Sequence, residues 1–410
     1  MVSETKESQR HDFGPRDGNQ SSPTEFLTML PDELWREILD QVYPSRDGMA
    51  AVPSAFTSWG HAIGVIARDP MRRMRAMQKY RSQLRLVCKR LEPIALGVLF
   101  QDIILPHHHT ELELLFEIAQ ETHGAPSSPG DLTRRLMTRL CFPDEDGEME
   151  EGKTYDRQLD LIHKTFPNIN TLIIDDAFST KVTTFYLDWI TGVKHLCWYP
   201  SPLKYEQVVQ ILAQNPELQS FVLSSPSGSL YCWPKHAPPW GNMKQFFIGY
   251  PPHTPFLATL PPDLDRLGFT FGTHLALDLS RLSSKMLTSL EVHWSTSRER
   301  PLIMDDILSL LYACPRLEVF TTSTCYSFVA PKASYEAHPS LRTLCITNAV
   351  GLVDAMLRQW GIIRSCCGYP HFNRVLVLTR PTYMMQVADS LVRFLHEEHD
   401  IPLEFVLGEL

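Results

Sequence analysis

The chain has 410 residues, 43% hydrophobic and 21% charged, enough for a soluble core of roughly two to four domains. Thirty-eight Lys and Arg against 47 Asp and Glu leave a net charge of −9, with an isoelectric point near 6.0. That balance argues against a nucleic-acid or membrane-surface binder, which needs a basic field, and no apolar run of about 18 residues offers a membrane span.

Nine cysteines, an odd number without regular spacing, fit reduced thiols in the cytosol or nucleus. Residues 1–24 are polar and rich in Gly, Pro and Ser, so a disordered tail is expected there. They contain no apolar h-region and do not read as a secretory signal. Order is expected from Phe26. Leu30-Pro31-Asp32-Glu33-Leu34 reads as a helix start. Pro31 suits a first turn because its missing N–H needs no partner there. Asp32 and Glu33 complement the positive helix end. Leu34, Ile38 and Val42 share one face, which Trp35 and Leu39 widen.

A second helix is predicted over Tyr80–Leu91, with Leu84, Val87, Cys88 and Leu91 on one side. A third follows Glu92-Pro93 and gives way to the strand-like Ile103-Ile104-Leu105. Between the first two helices lies an insert, 44–79. The stretch Met71–Arg81 at its end holds Arg72, Arg73, Arg75, Lys79, Arg81 and three methionines. This basic run reads as a solvated face on so acidic a chain. Leu30-Pro31-x-Glu33-Leu34-x-x-x-Ile38-Leu39, then Leu86-Val87-Cys88-Lys89-Arg90 and Ala95-x-x-x-Leu99-Phe100, resembles the F-box. The long insert resembles the variant found in many fungal F-box proteins.

His107-His108-His109 has no second ligand pair and reads as a solvated loop rather than a zinc site. A helix is expected over Glu111–Gln120, and an exposed acidic loop at Asp144–Glu151. The stretch 106–155 therefore reads as a helical and acidic linker.

From there the chain repeats. An apolar residue, two spacers, an apolar residue, one spacer and an apolar residue recur nine times, often after proline. The first unit is Pro167-x-Ile169-x-x-Leu172-x-Ile174 and the last is Pro370-x-Phe372-x-x-Val375-x-Val377. Their first positions are 24, 25, 25, 21, 23, 30, 24 and 31 residues apart. Leucine-rich repeats recur every ~20–29 residues around the same core. Helical patterns such as Tyr205–Leu212 and Asp306–Leu311 fill some of the gaps. The asparagine usual after the strand of such a repeat is mostly missing. One strand–helix unit cannot cover its own apolar face, so neighbours must stack. The expected fold is an α/β solenoid of degenerate leucine-rich repeats over 156–410, preceded by a small all-α F-box-like domain over 25–105. Leu403–Leu407 is a candidate closing strand.

Catalytic motifs fail on spacing. His396-Glu397-Glu398-His399 sets its histidines three apart, not the four a helical zinc site needs. Cys366-Cys367 suits neither a redox pair nor a chelate. No phosphate-binding Gly-rich loop or nucleophile elbow occurs. The expectation is a chain without catalytic residues, cofactor or metal.

The combination resembles the F-box/leucine-rich-repeat proteins. That resemblance implies the substrate-recognition subunit of an SCF-type cullin–RING ubiquitin ligase, cytoplasmic or nuclear. Its partners would be a Skp-type adaptor and a protein substrate. It implies adaptor contact, or shaping of the F-box, by Leu30, Pro31, Leu34, Ile38, Leu39, Leu86, Val87 and Cys88. The alternative is a non-catalytic repeat scaffold without ligase association. Strand alternation turns Tyr199, Phe247, Arg266, Glu291 and His293 away from the core, as candidate substrate contacts.

Overall fold

The structure is a computed structural model. It describes residues 31, 34–35, 38, 96–97, 99–105, 109–124, 128–139, 161–175, 190–198, 203, 205–223, 239–248, 259–271, 286–294, 304–323, 337–347, 366–367, 369–379, 395–396 and 399–407. The expected tail (1–24), the insert (44–79) and the second predicted helix lie outside these residues.

Twelve strands form one sheet in strict chain order, and each pairs in parallel with the next. They are β1 (Asp102–Ile104), β2 (Arg135–Arg139), β3 (Thr171–Asp175), β4 (His195–Trp198), β5 (Ser220–Leu223), β6 (Gln245–Ile248), β7 (Arg266–Phe271), β8 (Ser289–Trp294), β9 (Val319–Ser323), β10 (Thr343–Thr347), β11 (Arg374–Thr379) and β12 (Leu403–Leu407). Strands β3 to β11 are the nine sequence repeats, and β12 is the candidate closing strand. Parallel neighbours need crossovers, and three longer helices lie among them: α1 (His109–Glu121), α2 (Tyr205–Gln214) and α3 (Met304–Tyr312). The array is open and solenoid-like, and each unit packs on its sequence neighbours.

The array starts earlier than the repeat motif does. The sequence places the repeats from 156 onward, whereas β1 and β2 already belong to the ladder, in the stretches assigned to the F-box-like domain and the linker. The physical reason lies in the second unit. Its three motif positions are Thr133, Leu136 and Thr138, and both threonines are buried. Thr133 satisfies its hydroxyl by donating to Pro129 O at 2.6 Å, or to Phe100 O at 3.0 Å. A buried hydroxyl with a partner costs little, so the unit folds without the apolar pattern that marks the others.

The units from β2 to β11 also begin alike. Two successive N–H groups donate to one carbonyl of the preceding unit. Arg134 and Arg135 donate to Gln101 O, Asn170 and Thr171 to Arg134 O, Lys194 and His195 to Asn170 O, and so on to Asn373 and Arg374 on Arg342 O. This backbone stair depends on no side chain, which is why the units stay in register while their sequences diverge.

One continuous core runs along one side of the sheet. It carries Leu136, Leu172, Leu196, Phe221, Phe246, Leu267, Leu290, Phe320, Leu344 and Val375, one from each of β2 to β11. Burial of each such side chain is worth roughly 1.5–3 kcal/mol, and this row is the main stabilising feature. Phe221 and Phe246 meet in a tilted pair 6.0 Å apart, and Trp240 closes on the edge of Phe246 at 5.1 Å.

At two of the units, the residue before the proline ties one unit to the next. Buried Asn215 donates to Ile190 O and Ile211 O and accepts from Val193 N. His338 holds the same place five repeats later. Its Nδ1 accepts from Leu341 N at 3.0 Å, so the ring is neutral with the proton on Nε2, which faces Leu311 O and Cys314 O. Asn215 thus serves from a position ahead of the strand, not after it.

Candidate functional site

Two surfaces can be built from the residues upward: the sheet face opposite the core, and the helical turn near the N-terminus.

On the opposite face the register lines up one central row. It runs Met137, Ile173, Cys197, Val222, Phe247, Gly268, Glu291, Thr321, Cys345 and Leu376. Alternation does turn Phe247 and Glu291 away from the core, as expected. Both are nevertheless buried, Glu291 completely. The expectation that they offer open contact surface is therefore corrected. For Phe247 the reason is its neighbour: the ring lies across Gly268 on β7, where any Cβ would collide with it. Arg266 is partly exposed, with its guanidinium 3.7 Å from the Asp265 carboxylate. Tyr199 lies outside the described residues. His293 lies within β8, and its side chain is not among those described.

The same face is polar at its start and apolar at its end. Arg135 and Asp102, directly opposite in register on β1 and β2, form a buried ion pair at 3.0 Å. Leu376 and Cys345 form a small second cluster with Val319 against it. Burial pushes the Cys345 thiol up to about 12; the Thr321 hydroxyl and Arg374 pull it down, while the Glu291 charge raises it. Burial alone pushes Cys314 up to about 12, and Cys367 is pushed to about 11 mainly by burial. Cys366 is raised as well. All four remain thiols near neutral pH, which makes them poor nucleophiles.

Among the described residues no group of three or more His, Cys, Asp or Glu side chains is placed to hold a metal ion. His396 and His399 are both exposed. His109 opens α1, while His107 and His108 lie outside the described residues. No helix among the described residues is long and apolar enough to cross a membrane.

At the N-terminal turn, the backbone N–H groups of Leu34 and Trp35 both donate to Pro31 O at 3.1 Å. Pro31 caps this turn as its fixed φ and missing donor allow. Leu34 and Ile38, both helical and one turn apart, are 43% and 37% exposed. Pro31 is exposed too. Of the eight adaptor candidates these three are described; Leu30, Leu39, Leu86, Val87 and Cys88 lie outside the described residues.

The sequence reading missed three features: the Asp102–Arg135 pair, the Gly268 seat for Phe247, and the His338 staple. His338 had a signal, since it stands where Asn215 stands before Pro216. The ion pair had none: Asp102 is a spacer in Phe100-x-x-Ile103-x-Leu105, inside the stretch assigned to the F-box-like domain, and Arg135 lies in a unit without the apolar pattern. No protein-family model matches the chain, and no curated protein matches it.

Proposed function

We propose that the chain is the substrate-recognition subunit of an SCF-type cullin–RING ubiquitin ligase. The segment from residue 25 up to the start of the array at β1 acts as an F-box that docks on the Skp-type adaptor, and degenerate leucine-rich repeats hold the protein substrate. The observation that carries this reading is the pair Leu34 and Ile38: two large apolar side chains, one turn apart, left open to solvent behind Pro31. A helix face of this kind is the sort of surface that a partner protein covers. The stacked array supports the second half of the reading, because solenoids offer long surfaces for macromolecular partners. Substrate contact is assigned to the partly exposed row at the strand starts, around Arg266, Gln245 and His195. The chain catalyses nothing in this reading. It raises the local concentration of a substrate lysine beside the charged ubiquitin-conjugating enzyme.

The test is reconstitution with a recombinant Skp-type adaptor. The wild-type chain forms a stable complex, and Leu34→Asp with Ile38→Asp weakens it at least about tenfold while leaving circular dichroism unchanged. Failure of the wild-type chain to bind any adaptor tried would sink the ligase reading and leave the repeat scaffold without ligase association.

A further inference from the structure

The backbone stair that fixes the units also lines up side chains. Each carbonyl that takes two N–H groups belongs to the residue after the first motif position: Arg134, Asn170, Lys194, Gln219 and Lys244 over β2 to β6. The three cations are exposed and the two amides half-buried. Neighbouring strands lie about 4.8 Å apart, so the row alternates cation and amide and sets its cations about 9.6 Å apart.

The row is basic although the whole chain carries −9. Among the described residues neither Lys194 nor Lys244 forms an ion pair, and Arg134 is braced by donating to Asp131 O at 3.1 Å. Two acids stand within four residues ahead of these strands. Asp131 is engaged by His123 and by Gly124 N, and exposed Glu217 lies two residues ahead of Gln219. Beyond β6 the sign reverses, because the next places hold Asp265, Thr288 and Glu318. Asp265 is engaged by Arg266 and Thr288. The basic stretch therefore has a defined length.

We propose that this row seats an acidic segment of a partner protein, extended as a polyproline II helix, with a carboxylate at every third residue. A polyproline II chain has three residues per turn and rises about 3.1 Å per residue, so carboxylates at i, i+3 and i+6 share one side about 9.3 Å apart. Over two steps the mismatch with the cations is about 0.6 Å. A β-strand turns residues i and i+3 to opposite sides. An α-helix needs i and i+7, about 10.5 Å apart, and falls out of step by about 1.8 Å over the same two steps. The amides complete the match. Asn170 Oδ1 already accepts from the Thr171 hydroxyl at 3.1 Å, which leaves its NH2 to donate. Polyproline II carbonyls have no internal partner, so Asn170 and Gln219 meet acceptors between the ion pairs, whereas the carbonyls inside an α-helix are already taken. The row holds no aromatic side chain on which bases stack, which disfavours a single-stranded nucleic acid. It lies one residue ahead of His195 and Gln245, so the acidic segment is the substrate class for the contact surface proposed above, and the assignment rests on that reading of the repeats.

The probe is a fluorescent peptide of three Glu-Pro-Pro triplets, titrated against the full chain at low salt and read by anisotropy. It binds, and added salt weakens it, as expected of screened surface charge. A peptide of the same composition with its glutamates clustered at one end binds at least about fivefold more weakly, and the Gln-Pro-Pro version does not bind. Lys194→Gln with Lys244→Gln lowers affinity about tenfold, at roughly two- to fivefold per exposed ion pair lost. Asn170→Ala with Gln219→Ala lowers it about threefold. Unchanged denaturation midpoints verify that the variants fold, and each lysine changed alone gives a graded version. Absence of binding by the spaced peptide overturns the proposal. Equal affinity for the spaced and clustered peptides overturns it too, as does binding that survives loss of both lysines. Tighter binding of an acidic α-helical peptide, or of a single-stranded oligonucleotide of equal charge, overturns it and hands the row to that ligand. Adaptor binding is measured on the same preparations. A chain that docks on the adaptor and ignores every peptide loses this assignment alone, whereas one that binds the spaced peptide and no adaptor keeps it and loses the ligase reading.

Discussion

The two faces of the sheet are built on different rules. The core face carries one large apolar residue per strand from β2 to β11, and a run of Leu, Phe and Val is interchangeable there so long as volume is kept. The opposite face is closed along its central row except at half-buried Cys197, yet it mixes Met, Ile, Val, Phe, Gly, Glu, Thr, Cys and Leu. Burial on the first face follows from hydrophobicity. Burial on the second follows from pairwise fitting: a ring over a glycine, a guanidinium on a carboxylate. The lesson is that side-chain alternation predicts which way a residue points, not whether water reaches it.

The comparison is broken most sharply at the ion pair. Asp102→Ala leaves Arg135 charged and buried, and should cost about 3–5 kcal/mol in chemical denaturation. Replacing both by apolar residues of similar size should cost far less. If the single and double changes cost the same, the opposite face is stabilised by area, as the core face is.

Gly268 comes next. Gly268→Ala drives a methyl into the Phe247 ring, and overpacking of this kind costs typically about 1–3 kcal/mol. Phe247→Leu in the same chain should recover part of that loss. Independent, additive penalties in the double-mutant cycle would show that the ring does not depend on the glycine.

His338 supplies a pH dependence on the core side. Burial lowers its pKa below 6.5, against the smaller opposing pull of the Cys314 and Leu311 carbonyls. Its folded pKa is depressed, so the unfolded chain binds the proton more tightly. The neutral staple therefore contributes fully above pH 6.5, and its contribution falls as pH drops below 6.5 toward the folded pKa. Protonation would also set Nδ1–H against the Leu341 and Ser340 N–H groups. The denaturation midpoint should fall between pH 7 and 5 in the wild type, and less steeply in His338→Asn, which borrows the Asn215 solution. Parallel pH profiles would exclude His338 as the titrating group.

Arg266 should show the smallest stability effect. Its side chain is partly exposed and its carboxylate partner more so, and surface changes of this sort stay within about 0.5 kcal/mol. Arg266→Ala should leave the midpoint unmoved while weakening capture of a substrate on this face, once one is in hand. A large loss of stability would move Arg266 from the contact surface to the structural frame.

Much of this molecule was legible beforehand. Nine of the twelve strands coincide with the motif, and α1, α2 and α3 fall on the periodic stretches that predicted them, extended by at most two residues at an end. The two earliest strands escaped as members of the array, although Ile103-Ile104-Leu105 had a strand-like look. For β2, Thr133 shows why: a hydroxyl with a carbonyl to donate to replaces an apolar residue at no great cost, and the pattern fades; β1 keeps the pattern as Phe100-x-x-Ile103-x-Leu105, inside the stretch assigned to the F-box-like domain. The candidate surfaces were legible in direction only. Leu34 and Ile38 read as one stripe and stand exposed as one stripe. Phe247 and Glu291 pointed the right way, but closure of their face depends on neighbours that are distant in sequence.

By itself the sequence determined the repeat length, the core row and the parallel stacking. Each of these follows from local periodicity and from the need of every unit to bury the same apolar edge. Tertiary structure alone decided where the array begins, which outward-facing residues meet water, and which residue before a proline becomes the staple between units. Those outcomes depend on which side chain lies one strand over, and register across 20 to 30 residues of intervening chain sets that neighbour, not the spacing within any one repeat.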